Sequence, residues 1–397
     1  MPTPELLTPA DRAQLTARGL TPDDVAGQLV RLRGQAAPTA LDRPCTVDDG
    51  ILRLDLASQK ALLARGDAAA TAGRVTKFVP ASGAATRMFK DLIGALASTR
   101  LPSETPAARE LFTRLDAFPF AEEVRTRSGV RGMPATDADE RAVLQVLLHE
   151  MRLAVLPKAL VPFHRGDRAR TALEEQLREG VRYTRDAHGV CRMHFTVPTE
   201  ARTEFAATVA RLRPLIEAAH PGAILEVTLS EQHPSTDTVA VDEHGHVFRS
   251  TDGTILFRPS GHGALLQNLQ ETGGDLVVIK NIDNVLPDEA SAEVVRWKRR
   301  LIGLLAEVQS EAFAHLSAVS GVSCPDEALE RARVFVEQRF ARRPAGQPDR
   351  DALRRFLVSS LDRPLRVCGV VRNEGEPGGA PFWVRDREGN CSAQIVE

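Results

Sequence analysis

Short apolar runs and longer amphipathic stretches alternate along this chain, and their order predicts its architecture. "VTKFVPA" (75–81), "CRMHFTV" (191–197), "AILEVTL" (223–229) and "DLVVIKNI" (275–282) are dense in β-branched and apolar residues and read as buried strands. Helical patterns stand between them: "TRMFKDLIGALAS" follows the first, and "TEFAATVARLRPLIEAA" separates the second from the third. Ahead of them, "TPADRAQLTARG" and "TPDDVAGQLVRLRG" each begin with Thr-Pro and acids and end at Gly, the start and stop signals of helices. From 103 to 187 the pattern is helical again, with Pro and Gly as separators, and suits packing or a lid. "DTVAVDEHGHVFRSTDGTILFRP" alternates β-rich runs with the turns His244-Gly245 and Asp252-Gly253, as in a hairpin or meander. Val294, Trp297, Leu301, Leu304, Leu305 and Val308 share one face of a long helix, and the Gly/Pro-interrupted end of the chain reads as strand.

Strands alternating with helices predict an α/β fold: a mixed, mostly parallel sheet with flanking helices. A helical N-terminal cap is expected over 1–75 and an α/β domain over 76–397, with a helical insertion at about 103–187. No internal repeat and no low-complexity tract interrupts this plan.

Composition narrows the function. The 397 residues are 43% hydrophobic and 26% charged, with a formal net charge of -2 and the two signs interspersed. Bulk attraction to nucleic acid or to an anionic membrane is therefore not indicated. Cys45, Cys191, Cys324, Cys368 and Cys391 lie far apart, without a C-x-x-C pair or a His spaced to complete a zinc site, and read as reduced thiols. The first residues lack a basic region leading into an apolar one, and no apolar run approaches ~18 residues, so a cytoplasmic protein is expected.

Candidate chemistry sits at the strand ends. In "KFVPASGAATRMFKDL" (77–92) a strand enters a small-residue turn and then a helix, the geometry that presents backbone N–H groups to an anion. Ser82, Gly83, Ala84 and Ala85 leave room for a phosphate, and Arg87 and Lys90 are spaced to reach outer phosphates. It is not a Walker A loop, since no Gly precedes Lys90 and Asp91 stands where Ser or Thr would bind magnesium. A tight packed turn with two solvated basic residues is the alternative. "FRPSGHGALLQNL" (257–269) repeats the pattern, with Gly261 and Gly263 flanking His262; the alternative is a plain βα turn capped by the His. Asp283 and Asn284 follow a buried strand, where a carboxylate suits Mg²⁺, or where the pair simply shapes a turn. Gln232 is able to read a base by paired hydrogen bonds, or shapes its loop; Glu374, Glu376 and Trp383 either line a site or belong to an exposed loop. No G-x-S-x-G elbow, H-E-x-x-H helix or intact dinucleotide fingerprint appears, so hydrolase, zinc-peptidase and dehydrogenase readings lack support.

Together, "FVPASGAATRMFK", "PSTDTVAVD", "FRPSGHGALLQNL", "IKNIDNV" and "VCGVVRNEGEPGGAPFWV" resemble a bacterial family known only as domain of unknown function 4301, over nearly the whole chain. That likeness supplies a family and no activity. More remotely, the order of motifs resembles sugar-phosphate nucleotidyltransferases of the UDP-sugar pyrophosphorylase type, which implies a glycosyltransferase-A-like nucleotidyltransferase fold. Thr86-Arg87 is similar to the last pair of that group's Gly-rich loop, Pro259 to Gly263 to its later Gly-rich loop, and Asp283-Asn284 to its metal-holding Asp-Asn. Gln232 is similar to a Gln used near the base. The first loop departs from the group in having the single Gly83 and Ala85 before Thr-Arg, and the group continues past the strand that "QIVE" (394–397) resembles.

The resemblance implies a Mg²⁺-dependent enzyme acting on a nucleoside triphosphate and a sugar phosphate, without nucleic acid or membrane partners. Arg87, Lys90 and Asp283 would be catalytic, with Asp283 the metal ligand. Ser82 to Thr86, Gln232 and Gly261 to Gly263 would hold the nucleotide. A non-catalytic nucleotide- or nucleotide-sugar-binding protein, or another phosphotransferase using the same turns, is the alternative expectation.

Overall fold

A computed structural model describes residues 7–34, 39–83, 85–375 and 378–397, and everything of His262 except its side chain. The chain divides into two compact units, Met1–Leu29 with Ala70–Val295, and Val30–Ala69 with Arg296–Glu397.

The first unit is built on a parallel sheet of four strands: β1 (Val75–Pro80), β2 (Val190–Val197), β3 (Ile224–Glu231) and β4 (Leu276–Ile279), in the order β4-β1-β2-β3. The four predicted strands are these four. In β2 and β3 apolar residues alternate with polar ones: Cys191, Met193, Phe195 and Val197, and likewise Leu225, Val227 and Leu229, turn to one face, with Arg192, His194, Thr196, Glu226, Thr228 and Ser230 on the other. On one face α1 (Ala172–Thr184) and α2 (Arg202–Ala219) pack Leu173, Leu177, Phe205, Leu212 and Ile216 against Val79, Met193, Phe195 and Leu225. The expected mixed α/β architecture with a parallel sheet and flanking helices is the one found.

Several local details differ from the sequence pattern. The helix after the first loop begins with a 3-10 turn, Ala85–Arg87, and becomes α-helical only over Lys90–Ala97. Ala85, Phe89 and Leu92 are anchored in a separate helical core with Leu111, Phe112, Val124, Val143 and Leu147. α1 belongs to the sheet's own packing, so the end of the helical stretch 103–187 does packing work. The N-terminal helices Pro9–Ala17 and Pro22–Leu32 set Leu15, Leu20, Val25 and Leu29 against Val239 and Ile255 of the meander. Gln14 fixes that contact, donating to Ile255 O at 2.8 Å and accepting from Ile255 N at 3.0 Å.

In the second unit, helix Leu56–Thr71 crosses the long helix Ala292–Ser320 at Gly66 and Gly303. A Cβ on Gly303 would sit 1.9 Å from Leu62 O, so only glycine permits this approach. Leu304 and Val308 of the predicted helix face are buried, while Trp297, on the same face but about two turns nearer the start of the helix, is exposed. Residues 40–51, expected to be helical, contain instead the strand Ala40–Pro44, which pairs antiparallel with Ala380–Arg385. The strand-like reading of the chain's end holds for Ala380–Arg385 and Cys391–Val396, and 364–375 carry no regular structure.

Candidate functional site

The chain runs β1, β2, β3 outward in one direction and then returns to set β4 on the other side of β1. The order therefore reverses between β1 and β4, and a crevice outside the carboxyl ends of strands at such a reversal is where ligands bind in open α/β sheets. Two sequence-predicted elements emerge there. The Ser82–Thr86 loop leaves β1, and Asp283-Asn284 leave β4.

The first loop is pinned at its base and open above. Ala81 N–H continues the β1–β2 ladder by donating to Thr196 O at 2.9 Å, and Ala85 is fully buried. Ser82 is half-buried, and Gly83, Thr86, Arg87 and Lys90 are exposed; Ala84 lies outside the described residues. A Cβ built on Gly83 would meet nothing within 4 Å. Among the described residues, the amides of Gly83 and Thr86 donate to no protein acceptor, leaving polar hydrogens free for an anion.

Asp283 is presented outward between two apolar pins, the buried Ile282 and Val285, and its backbone is held from below. The amide of Gln176, a wholly buried α1 residue, donates to Asn281 O at 2.7 Å and to Ile282 O at 3.2 Å. Beneath this clamp, Lys77 of β1 donates to Gln176 O at 2.6 Å and pairs with Glu179 at 3.4 Å, while Lys280 pairs with the other Glu179 oxygen. Tyr183 OH donates to Glu179 at 2.9 Å, and burial pushes its phenol well above the ordinary range. Burial raises the Glu179 carboxyl, but the two ammonium groups outweigh it and hold the group below its usual value. Two ammonium groups thus meet at one buried carboxylate, between β1, the segment after β4 and α1. Gly180 makes the arrangement possible, since a Cβ there would meet Met193 Sδ at 2.5 Å and Lys77 Cδ at 3.2 Å.

Lys158, which the sequence reading missed, ties the two loops together. Its N–H donates to Gly83 O at 3.1 Å, and its Nζ pairs with Asp283 Oδ2 at 2.7 Å. Two residues earlier, Leu156 O accepts from Ala85 N at 3.1 Å. No motif surrounds "LPKAL", and a Lys after Pro157 carries no sequence signal of its own.

The other predicted residues gather elsewhere on the sheet. Gln232 follows β3 and its Nε2 is buried without a partner. The Gly261–Gly263 loop leads through His262–Leu265 into helix Leu266–Glu271, and its bonds run toward β3. Asn268 donates to Ser230 Oγ at 2.9 Å and to Glu231 O at 2.7 Å, while Ser260 bonds Thr238. Gly261 and Gly263 are exposed with open space at both α-carbons; the His262 side chain lies outside the described residues. The first loop, at Gly83, and Asp283 are thus joined through Lys158, whereas Gln232 and the second loop form a separate group at the end of β3. His194 lies between the groups, bridging Thr228 and Ser230 at 2.7 Å each and stacked on Phe78, and burial lowers its imidazole.

Trp383 does not line a site. It is buried in the second unit beneath the guanidinium groups of Arg43 and Arg343. Glu374 is exposed, and Glu376 lies outside the described residues.

The fold is an α/β one built on a parallel sheet whose order reverses between β1 and β4. The chain belongs to the family described as a domain of unknown function, DUF4301, whose profile matches residues 8–397. No curated protein matches it. Among solved structures it is similar to a protein of Entamoeba histolytica described as a UDP-N-acetylglucosamine pyrophosphorylase, at 13% identity and a TM-score of 0.34, covering 64% of this chain and 47% of that one. It is similar also to the uridine diphosphate N-acetylglucosamine pyrophosphorylase of Trypanosoma brucei, at 15% identity and a TM-score of 0.41, covering 77% of this chain and 51% of that one. The chain spans about half the length of these two structures, and at such identities the likeness concerns the fold alone.

Proposed function

We propose that this protein is a Mg²⁺-dependent nucleotidyltransferase that moves a nucleoside monophosphate from a triphosphate onto a sugar 1-phosphate. An oxygen of the sugar phosphate attacks the α-phosphorus, the bond between the α-phosphorus and its bridging oxygen breaks, and pyrophosphate leaves. The observation carrying this reading is the position of the first loop and Asp283 on either side of the β1/β4 reversal, joined by Lys158. Phosphoryl chemistry of this kind asks mainly for alignment and charge neutralisation. The free loop amides with Arg87 and Lys90 would neutralise the leaving pyrophosphate, and Gln232 with the second loop would take the base and ribose.

The donor set fits Mg²⁺ as an ion completed by substrate. Asp283 offers one carboxylate, and Mg²⁺ is commonly held by one or two carboxylates with phosphate oxygens and waters. Among the described residues no group of three or more His, Cys, Asp or Glu would hold an ion unaided. When bound, the ion would supply charge neutralisation at the phosphates.

A panel of nucleoside triphosphates and sugar 1-phosphates with Mg²⁺, read by pyrophosphate release, tests the reading. Release dependent on both substrates supports it. Binding of triphosphate without release would instead favour a nucleotide-binding protein.

A further inference from the structure

Lys158 is bonded to both loops, through its ammonium to one and through its backbone to the other. Its ammonium neutralises Asp283 at 2.7 Å, and its own backbone N–H is fixed to Gly83 O at 3.1 Å. The second bond keeps the Cα of Lys158 beside the first loop whatever its side chain does. The side chain is about a quarter exposed, and that of Asp283 somewhat more, so water and ions reach the pair. A solvated pair of this kind is worth little in stability, and its partners are free to exchange. A cation arriving at Asp283 must displace the Lys158 ammonium, because two cations at one carboxylate oxygen repel each other.

We infer that Lys158 is an exchangeable counter-ion: it occupies the Asp283 carboxylate in the empty site, yields it to a divalent cation, and then serves the phosphates gathered at the first loop. The inference rests on the proposed function and adds to it a residue with two partners in sequence. Its flexible four-carbon stem swings from a root anchored at Gly83, so the ammonium released from Asp283 stays on the phosphate side of the crevice. The exchange keeps the local charge nearly balanced at each stage. An empty site holds Lys158 against Asp283; a filled one sets the divalent cation against Asp283 and Lys158 against phosphate.

The two roles predict effects of opposite sign, which a structural defect would not produce. With Mn²⁺ as the probe and its free ion read by electron paramagnetic resonance, Lys158→Met should bind the metal roughly tenfold more tightly than the wild-type chain. Lys158→Arg should remain near wild type, and Asp283→Asn should remove the site in either background. With pyrophosphate as the second probe, at saturating Mn²⁺ and read by calorimetry, Lys158→Met should bind roughly tenfold more weakly. Melting temperatures within a few degrees of wild type show that each variant is folded. Unchanged or weaker Mn²⁺ affinity in Lys158→Met overturns the exchange, and so does unchanged pyrophosphate affinity against a wild-type chain that binds it. A wild-type chain that ignores pyrophosphate altogether overturns the transferase reading, while the metal measurement still decides whether Lys158 and the cation compete.

Discussion

Gln176 and Asn281 are joined by a 2.7 Å hydrogen bond from a wholly buried amide to a backbone carbonyl, and this bond holds the segment that presents Asp283. Gln176→Leu keeps the bulk but leaves the carbonyls of Asn281 and Ile282 without their donor. An unsatisfied buried acceptor at Ile282 costs about 1–3 kcal/mol, offset in part because the substitution also removes the Gln176 Oε1 that is buried without a partner, so urea unfolding should show a loss up to that size. A loss near zero would mean that water replaces the amide.

The crossing of Gly66 and Gly303 makes a sharper stability test. Gly303→Ala puts a methyl 1.9 Å from Leu62 O and 2.9 Å from Gly66 N, both backbone atoms that cannot swing aside. The two helices must separate, at about 1–3 kcal/mol or more. Gly94→Ala is the matched control, because its Cβ meets nothing within 4 Å on the helix Lys90–Ala97. It should stabilise by roughly 0.5–1 kcal/mol through helix propensity. Thermal denaturation of both variants should move in opposite directions.

Arg87 and Asp283 separate transition-state charge from metal. Arg87 is exposed, so Arg87→Ala should alter stability by at most about 0.5 kcal/mol while lowering kcat roughly 10²-fold. Asp283→Asn should abolish Mg²⁺-dependent turnover with little change in melting temperature. Unaltered turnover in both variants would remove these residues from the site.

His194 predicts a pH dependence. Burial pushes its imidazole below the ordinary 6.5, with the Glu271 carboxylate opposing the shift. The unfolded chain then takes up the proton first, so this contribution to stability is whole above about pH 6.5 and is lost as pH falls toward the folded value. Between about pH 7 and about pH 5, His194→Gln should lose less unfolding free energy than wild type. Equal losses would show that the imidazole titrates as it does in the unfolded chain.

The strands were legible as short stretches dense in β-branched and apolar residues, alternating with polar ones in β2 and β3, and the loops because small residues and Gly follow such stretches directly. The inward charges of α1 were not. Glu174, Glu175 and Glu179 read as an ordinary polar helix, yet they are 1%, 2% and 4% exposed. Their partners Arg168, His164, Lys77 and Lys280 lie mostly on other elements, and no local pattern announces such pairing. Lys158 escaped for the same reason: its significance comes from Gly83 and Asp283, which are 75 and 125 positions away in a chain that only the fold brings together. Trp297 misled because it shares the face of the buried Leu304 and Val308 but lies about two turns nearer the start of the helix, and periodicity does not say how far along a face the covering extends.

The pairing of Ala40–Pro44 with Ala380–Arg385 also governs how the protein is born. Arg385 reaches Asp42 across 343 positions, and translation proceeds at about 5–20 residues per second. For tens of seconds the early strand emerges from the ribosome with its partner unmade, while the β1-to-β4 sheet between them is already complete enough to fold. The nascent chain therefore carries an unpaired strand through that interval, and its five residues, exposed even when paired, offer an edge of free backbone groups rather than an apolar face.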